Sequence, residues 1–145
     1  MIGLDAKLYY NANTYASPSW TELTNVKDVS LSMDAGEADA STRGSGGWKI
    51  TEATLRSASI EFEMTWDTSK AWFIALRDAY LAGTLVEMAC MDGAIATSGK
   101  EGLRAGMSVT EFMRNEPLEG VVTVSVTVKP GPSADANPAW YEVPA

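Results

Sequence analysis

The chain has 145 residues, 46% hydrophobic and 21% charged, which is enough apolar material for the core of one domain and argues against global disorder. Lys plus Arg total 11 against 19 Asp plus Glu, a net charge of −8 that disfavours a DNA reader gripping phosphates through a basic patch. The absence of histidine and the single cysteine, Cys90, exclude imidazole bases, Ser–His and Cys–His nucleophile pairs, intrachain disulfides and cysteine-cluster metal sites.

The opening MIGLDAKLYY has no basic region leading into an apolar stretch, and no apolar run reaches membrane-spanning length. A soluble protein without a secretory leader is expected. Lys27–Met33 alternates weakly through Val29, Leu31 and Met33. Asp34–Thr54 follows with four glycines and few apolar anchors, and reads as a long inter-strand loop, a feature that is usually functional or mobile. In Ser59–Asp67 the period is two: Ile60, Phe62, Met64 and Trp66 share one face, Glu61, Glu63, Thr65 and Asp67 the other.

Thr68–Ala82 reads as a helix with Trp72, Leu76, Ala79 and Tyr80 on one stripe and Phe73 beside it. Asp67 or Thr68 is placed to cap its start, and Gly83 suits a left-handed C-terminal residue. A strand over Thr84–Met91 should end at the turn Asp92–Gly93, with Cys90 as a small core hydrophobe. Leu103, Ala105, Met107 and Val109 alternate again, but Phe112 falls on the opposite parity, which predicts a bulge near Thr110–Glu111. In Gly120–Lys129 the residues Val122, Val124, Val126 and Val128 make one aliphatic face. The tail Pro130–Ala145 holds four prolines with Trp140 and Tyr141, a composition that favours an extended arm over a packed element. Removing Ser133–Ala145 is expected to weaken self-assembly more than thermal stability.

The fold class is therefore mainly β: a single domain, 1–145, of six to eight mostly antiparallel strands. They form a small barrel or sandwich with one flanking helix, the loop 34–54 and the C-terminal arm. Met33, Met64, Met88, Met91, Met107 and Met113 read as adaptable core filling.

Candidate chemistry is sparse. Gly44–Gly47 leads into Trp48 and Lys49 without the spacing of a phosphate loop and without a following helix, so a flexible loop is the simpler reading. Glu61 and Glu63 share a strand face, as paired catalytic carboxylates can, yet no aromatic platform stands on their side, and solvation of a sheet face explains them. A divalent-cation site on these carboxylates lacks a ligand loop. Trp66 and Trp72 fit the core; Trp20, Trp48 and Trp140 lie in or beside turns, where subunit contact outweighs sugar binding.

Three segments together resemble the tail tube (major tail) proteins of long-tailed bacteriophages: Val29 to Met64 (VSLSMDAGEADASTRGSGGWKITEATLRSASIEFEM), Trp66 to Gly93 (WDTSKAWFIALRDAYLAGTLVEMACMDG) and Gly102 to Pro130 (GLRAGMSVTEFMRNEPLEGVVTVSVTVKP). The resemblance implies a non-enzymatic virion subunit that forms hexameric rings with copies of itself. Those rings stack into a conduit alongside other tail proteins, and DNA passes through without specific binding. It implies no cofactor, no metal and no membrane partner, and a location in the virion tail after assembly in host cytoplasm. A prophage remnant, or a tube protein of a type VI or contractile injection machine, is an alternative within the same architecture.

By position, the resemblance assigns loop contacts between subunits to Glu37, Asp39, Ser41, Thr42, Arg43, Gly46, Gly47, Trp48 and Lys49. It assigns arm contacts to Trp140 and Tyr141. Alternation adds Glu61, Glu63 and Asp67 as an acidic lumen face that would repel phosphates; the opposing reading turns them to outer solvent. The rival from another class is a soluble β-sandwich that binds carbohydrate or another ligand on Trp48 and Trp140.

Overall fold

The computed structural model describes residues 3–133 and 135–144. Its strongest alternating segments sit side by side. Strand β4 (Thr51–Thr65) pairs antiparallel with β7 (Thr123–Pro130), setting Ile60, Phe62 and Met64 opposite Val128, Val126 and Val124. All six are almost fully buried. Around them run β1 (Lys7–Asn11), β2 (Trp20–Glu22), β3 (Val26–Asp39), β5 (Leu85–Met91), β6 (Glu101–Asn115) and β8 (Ala139–Glu142). The order is β2-β1-β5-β6-β7-β4-β3, with β8 added beside β6, and every pairing is antiparallel.

Strand β6 serves two partners on different stretches. Gly102–Ser108 pairs with β5, and Met107–Asn115 pairs with β7. The register slips between Val109 and Glu111, where the parity change predicted a bulge. The slip keeps Leu103, Ala105, Met107 and Val109 on the core side and still turns Phe112 toward it. The sequence left barrel and sandwich open. The end strands β2 and β3 do not join, so the sheet does not close into a barrel, and the halves on either side of β6 face each other in a sandwich-like fold.

Helix α1 (Ala71–Ala82) packs against β5 and β6 and buries Trp72, Phe73, Leu76 and Ala79. The Phe73 ring meets Trp66 at 4.9 Å and Phe112 at 5.7 Å, both edge-on. The Trp72 indole N–H donates to Asn25 Oδ1 at 2.8 Å, and Asn25 Nδ2 donates to the Thr65 carbonyl, tying the helix to the end of β4. Gly83 ends the helix in the left-handed region at φ 70°, as expected.

Several expectations need correcting. The helix begins at Ala71, with Lys70 as its extended N-cap. Tyr80 is exposed, though its ring stacks on Phe112. Met33 and Met113 are exposed, while Met64, Met88, Met91 and Met107 fill the core. The segment 34–54 is about half strand, since β3 runs to Asp39 and β4 begins at Thr51, leaving 40–50 as the connecting tip with one 3-10 turn at Arg43–Ser45.

The arm is packed where no packing was expected. After Gly131 the chain crosses Gly106, whose N–H donates to the Ala136 carbonyl at 2.7 Å, and Ala136 is buried. Strand β8 then pairs with Glu101–Arg104. Tyr141 and Val143 cover a second, smaller apolar cluster of Tyr9, Ala89 and Met91 on the face of the β1–β5–β6 sheet away from the main core. Cys90 is partly buried against the core, which pushes its thiol up from its ordinary value.

Candidate functional site

Three surfaces hold the residues that sequence reasoning singled out. The first is a projecting ribbon. Pairing of β3 with β4 runs from Val26↔Met64 to Asp39↔Thr51, but β7 covers β4 only from Ile60 onward. About eight residues of each strand thus extend beyond the body, a reach of roughly 26 Å at about 3.3 Å per residue. From Met33 to Asp39 and from Thr51 to Ser57 every residue is exposed. The ribbon is held by its ladder alone.

The tip is nonetheless built. Ala40 N–H donates to the Ile50 carbonyl at 2.9 Å, and Ile50 N–H donates to Ser41 Oγ at 2.7 Å. Thr42 N–H donates to Ser45 Oγ, and Ser45 N–H returns to the Thr42 carbonyl, each at 3.0 Å. Gly46 and Gly47 follow at φ 65° and 84°, a reversal that side-chain-bearing residues resist. It presents Trp48, which is 77% exposed, between Arg43 and Lys49. At the base, the Ser41 hydroxyl and amide hold the Asp39 carboxyl below its usual value. Glu37 pairs with Ala53 on the ribbon's shaft. The loop residues proposed from sequence therefore occupy one protruding structure.

The second surface is the face of β3, β4, β6 and β7 that points away from the core. Glu61 stands between Ser30 and Thr127, Glu63 between Lys27 and Ser125, and Thr127 faces Glu111 in the next register. Glu61 and Glu63 thus share a sheet face rich in hydroxyls. Asp67 does not belong to it: β4 ends at Thr65, and the Asp67 carboxylate turns back to accept from Ser69 Oγ at 2.6 Å and Ser69 N–H at 3.0 Å. Those bonds hold its carboxyl below the ordinary range. Glu111 takes its place on the face. The bulge predicted at this position is the signal that would have found it.

The third surface was not foreseen. Arg104 and Glu87 form a nearly buried ion pair at 3.1 Å on adjacent strands. The guanidinium lies 4.1 Å from the Tyr15 ring, 5.1 Å from Trp20 and 5.6 Å from Tyr141. It also donates to the Tyr15 carbonyl, while Asn11 Nδ2 donates to Glu87 Oε1 at 2.7 Å. One cation thereby fastens the 12–19 loop, β2 and the arm to the same point. Tyr141 is committed to this cage, whereas Trp140 on the alternate side of β8 is 55% exposed. Trp20, expected at a contact, is half-buried here. The signal for this clasp was a charge inside each apolar run: Glu87 in LVEMACM, and Arg104 between Leu103 and Ala105.

No family model matches the chain, and no curated protein matches it by sequence. Its fold does match solved structures along nearly its whole length. The tail of an empty gene transfer agent particle, refined with C6 symmetry, superposes with a TM-score of 0.74 at 15% identity, covering 98% of both chains. The SPP1 tail tube, determined by solid-state NMR and cryo-electron microscopy, gives 0.75 at 14% identity over all of this chain and 81% of that one. The six-fold symmetrised baseplate of the anti-feeding prophage gives 0.61 at 8% identity over 95% and 91%. The chain has the fold of tail tube proteins.

Proposed function

We propose that this chain is a structural, non-enzymatic subunit of a virion tail tube, in which copies close into rings and rings stack around a channel for DNA. The observation that carries this reading is the end-to-end likeness in fold to chains from assembled tail tubes, one of them refined with six-fold symmetry. The open edge of β3 supports it. That strand is 14 residues long and has β4 on one side only. Such an edge invites pairing, and a neighbouring copy in a ring is the partner that satisfies it without open-ended aggregation. The bulge between Lys27 and Ser30, with Asp28 at φ 49°, interrupts the near end of this edge, and a second shift between Ala35 and Glu37 leaves Ser30–Ala35 as its regular stretch for the neighbour.

In this reading the hydroxyl-rich face carrying Glu61, Glu63 and Glu111 lines the channel. Its three glutamates outnumber the cations Lys27 and Lys129 on the same face and keep phosphates at a distance, and its serines and threonines add no further cationic anchor. Assembly in host cytoplasm precedes incorporation into the virion tail. The ribbon residues Glu37 to Lys49 make contacts between copies. At the arm, exposed Trp140 is the contact residue and Tyr141 supports it from inside its own chain.

Negative-stain microscopy and light scattering of the purified protein test the proposal directly. Rings or tubes with a stain-filled channel are expected. Deleting Glu37–Gly47 should leave a folded protein that no longer elongates. A wild-type protein that stays monomeric at every concentration would overturn the reading.

A further inference from the structure

Helix α1, the loop after β1 and the start of the arm meet beside the first residues of β5, and they enclose a cavity of about 540 Å³. Its wall carries a carboxylate from each of three elements: Asp78 on α1, Glu87 on β5 and Asp135 on the arm. Among the described residues no lysine or arginine lines it. Much of the remaining wall is apolar, made by Ala75, Ala79, Val86 and Ala136.

Glu87 is the deepest of the three. Its side chain is 9% exposed, and Oε1 alone accepts from Arg104 at 3.1 Å and from Asn11 at 2.7 Å. Oε2 has no donor among the described residues and Arg104 Nε no acceptor, so a single oxygen carries the ion pair. A buried carboxylate oxygen without a donor is unfavourable, and a donor entering the cavity removes that cost. Oε2 is closed from solvent as it stands; Asn13 and Tyr15, in the exposed loop 12–19, are the part of the wall free to yield. Asp135 meets only the Ser133 hydroxyl, at 3.4 Å, and Asp78 pairs with Arg77 at 3.1 Å in the open, where such pairs hold weakly.

The three carboxylates share a cavity without converging. Among the described residues no three acidic, cysteine or histidine side chains come close enough to hold a metal ion. A point charge therefore does not match them, whereas a cation with its charges spread along a flexible apolar chain does. We infer that this cavity binds a linear polyamine, one ammonium donating to Glu87 Oε2, another facing Asp135, and the methylenes lying against Ala75, Ala79 and Ala136. Ammonium–carboxylate hydrogen bonds are of the strong, charge-assisted kind, and the small alanine side chains leave the methylenes room. The bound chain spans α1, β5 and the arm. Binding needs one copy only and is independent of whether copies assemble.

Calorimetric titration of the purified protein with spermidine tests this at physiological salt, where exposed charges more than about 8 Å apart are screened. One saturable site per chain is expected, with none for magnesium ions or for an uncharged diol of equal length. Glu87→Gln should weaken spermidine about tenfold and Asp135→Asn about threefold. Glu142→Gln removes the same charge from the same arm outside the cavity, and should change the affinity less than about twofold. Asp135 is exposed, so its variant reads the site even where Glu87→Gln fails to fold. The absence of a saturable site, wild-type affinity in either folded cavity variant, or an equal loss in Glu142→Gln would each overturn the assignment, the last by showing diffuse attraction to an acidic chain.

Discussion

The ribbon and the arm look alike in sequence, each polar, glycine- or proline-rich and short of aliphatic residues, yet the structure uses them in opposite ways. The ribbon leaves the body with every residue of its outer part exposed. The arm returns to the body, adds β8 to β6 and seals the Tyr9–Met91 cluster with Tyr141 and Val143. The difference lies in what each can reach. Ribbon strands pair only with one another, whereas the arm leaves β7 beside an unpaired stretch of β6 and finds its ladder already half built. A segment's stickiness therefore follows from where the fold releases it as much as from its composition.

The contrast can be broken by measurement. Truncation from Ser133 onward strips β8, Tyr141 and Val143 together and uncovers Tyr9 and Met91, so unfolding free energy should fall by about 4 kcal/mol in denaturant titration. A drop under about 1 kcal/mol would return the arm to the ribbon's class and reinstate the expectation that it serves assembly more than stability. Arg104→Met comes next. It leaves the Glu87 carboxylate buried without its cation, at about 3 kcal/mol, and adding Glu87→Gln should recover a good part of the loss. Failure of the second change to help would show that the cage works by packing alone.

At the ribbon the same assays should read almost nothing. Trp48→Ala removes a side chain that touches little in its own chain, and stability should change by less than about 0.5 kcal/mol. The smallest effects are in acid. Asp39 on the ribbon and Asp67 in the body both have carboxyls held below their unfolded value of 3.8 by serine donors. Each contributes above that value and loses its contribution as pH falls through the depressed folded value. Acid melting should therefore lose some steepness in Asp67→Asn, while Asp39→Asn should loosen only the tip amides in hydrogen exchange. Equal effects of the two on global melting would place the ribbon inside the cooperative unit.

How far the sequence could be read tracks burial on one face. The segments Ile60–Trp66, Leu103–Val109 and Val122–Val128 alternate because one side meets the core and the other does not, and even the bulge showed as a change of parity. From Met33 to Asp39 both sides meet water, so no period-two signal exists and a strand passes for a loop. Asp67 was assigned to the sheet by carrying the alternation two residues past the end of β4. The Arg104–Glu87 pair needs the β5–β6 register, which joins residues 17 apart and leaves only an out-of-place charge as its trace. Strand β8 is four residues long, too short to announce a period.

The division of β6 between two partners has a mechanical consequence. Because a single continuous backbone belongs to both halves of the sandwich, no cleavage plane separates them, and prying the layers apart means bending covalent chain. A pull along β4 loads its rungs to β7 in shear, all at once and in their strong direction, so the two strands part only when the whole ladder yields together.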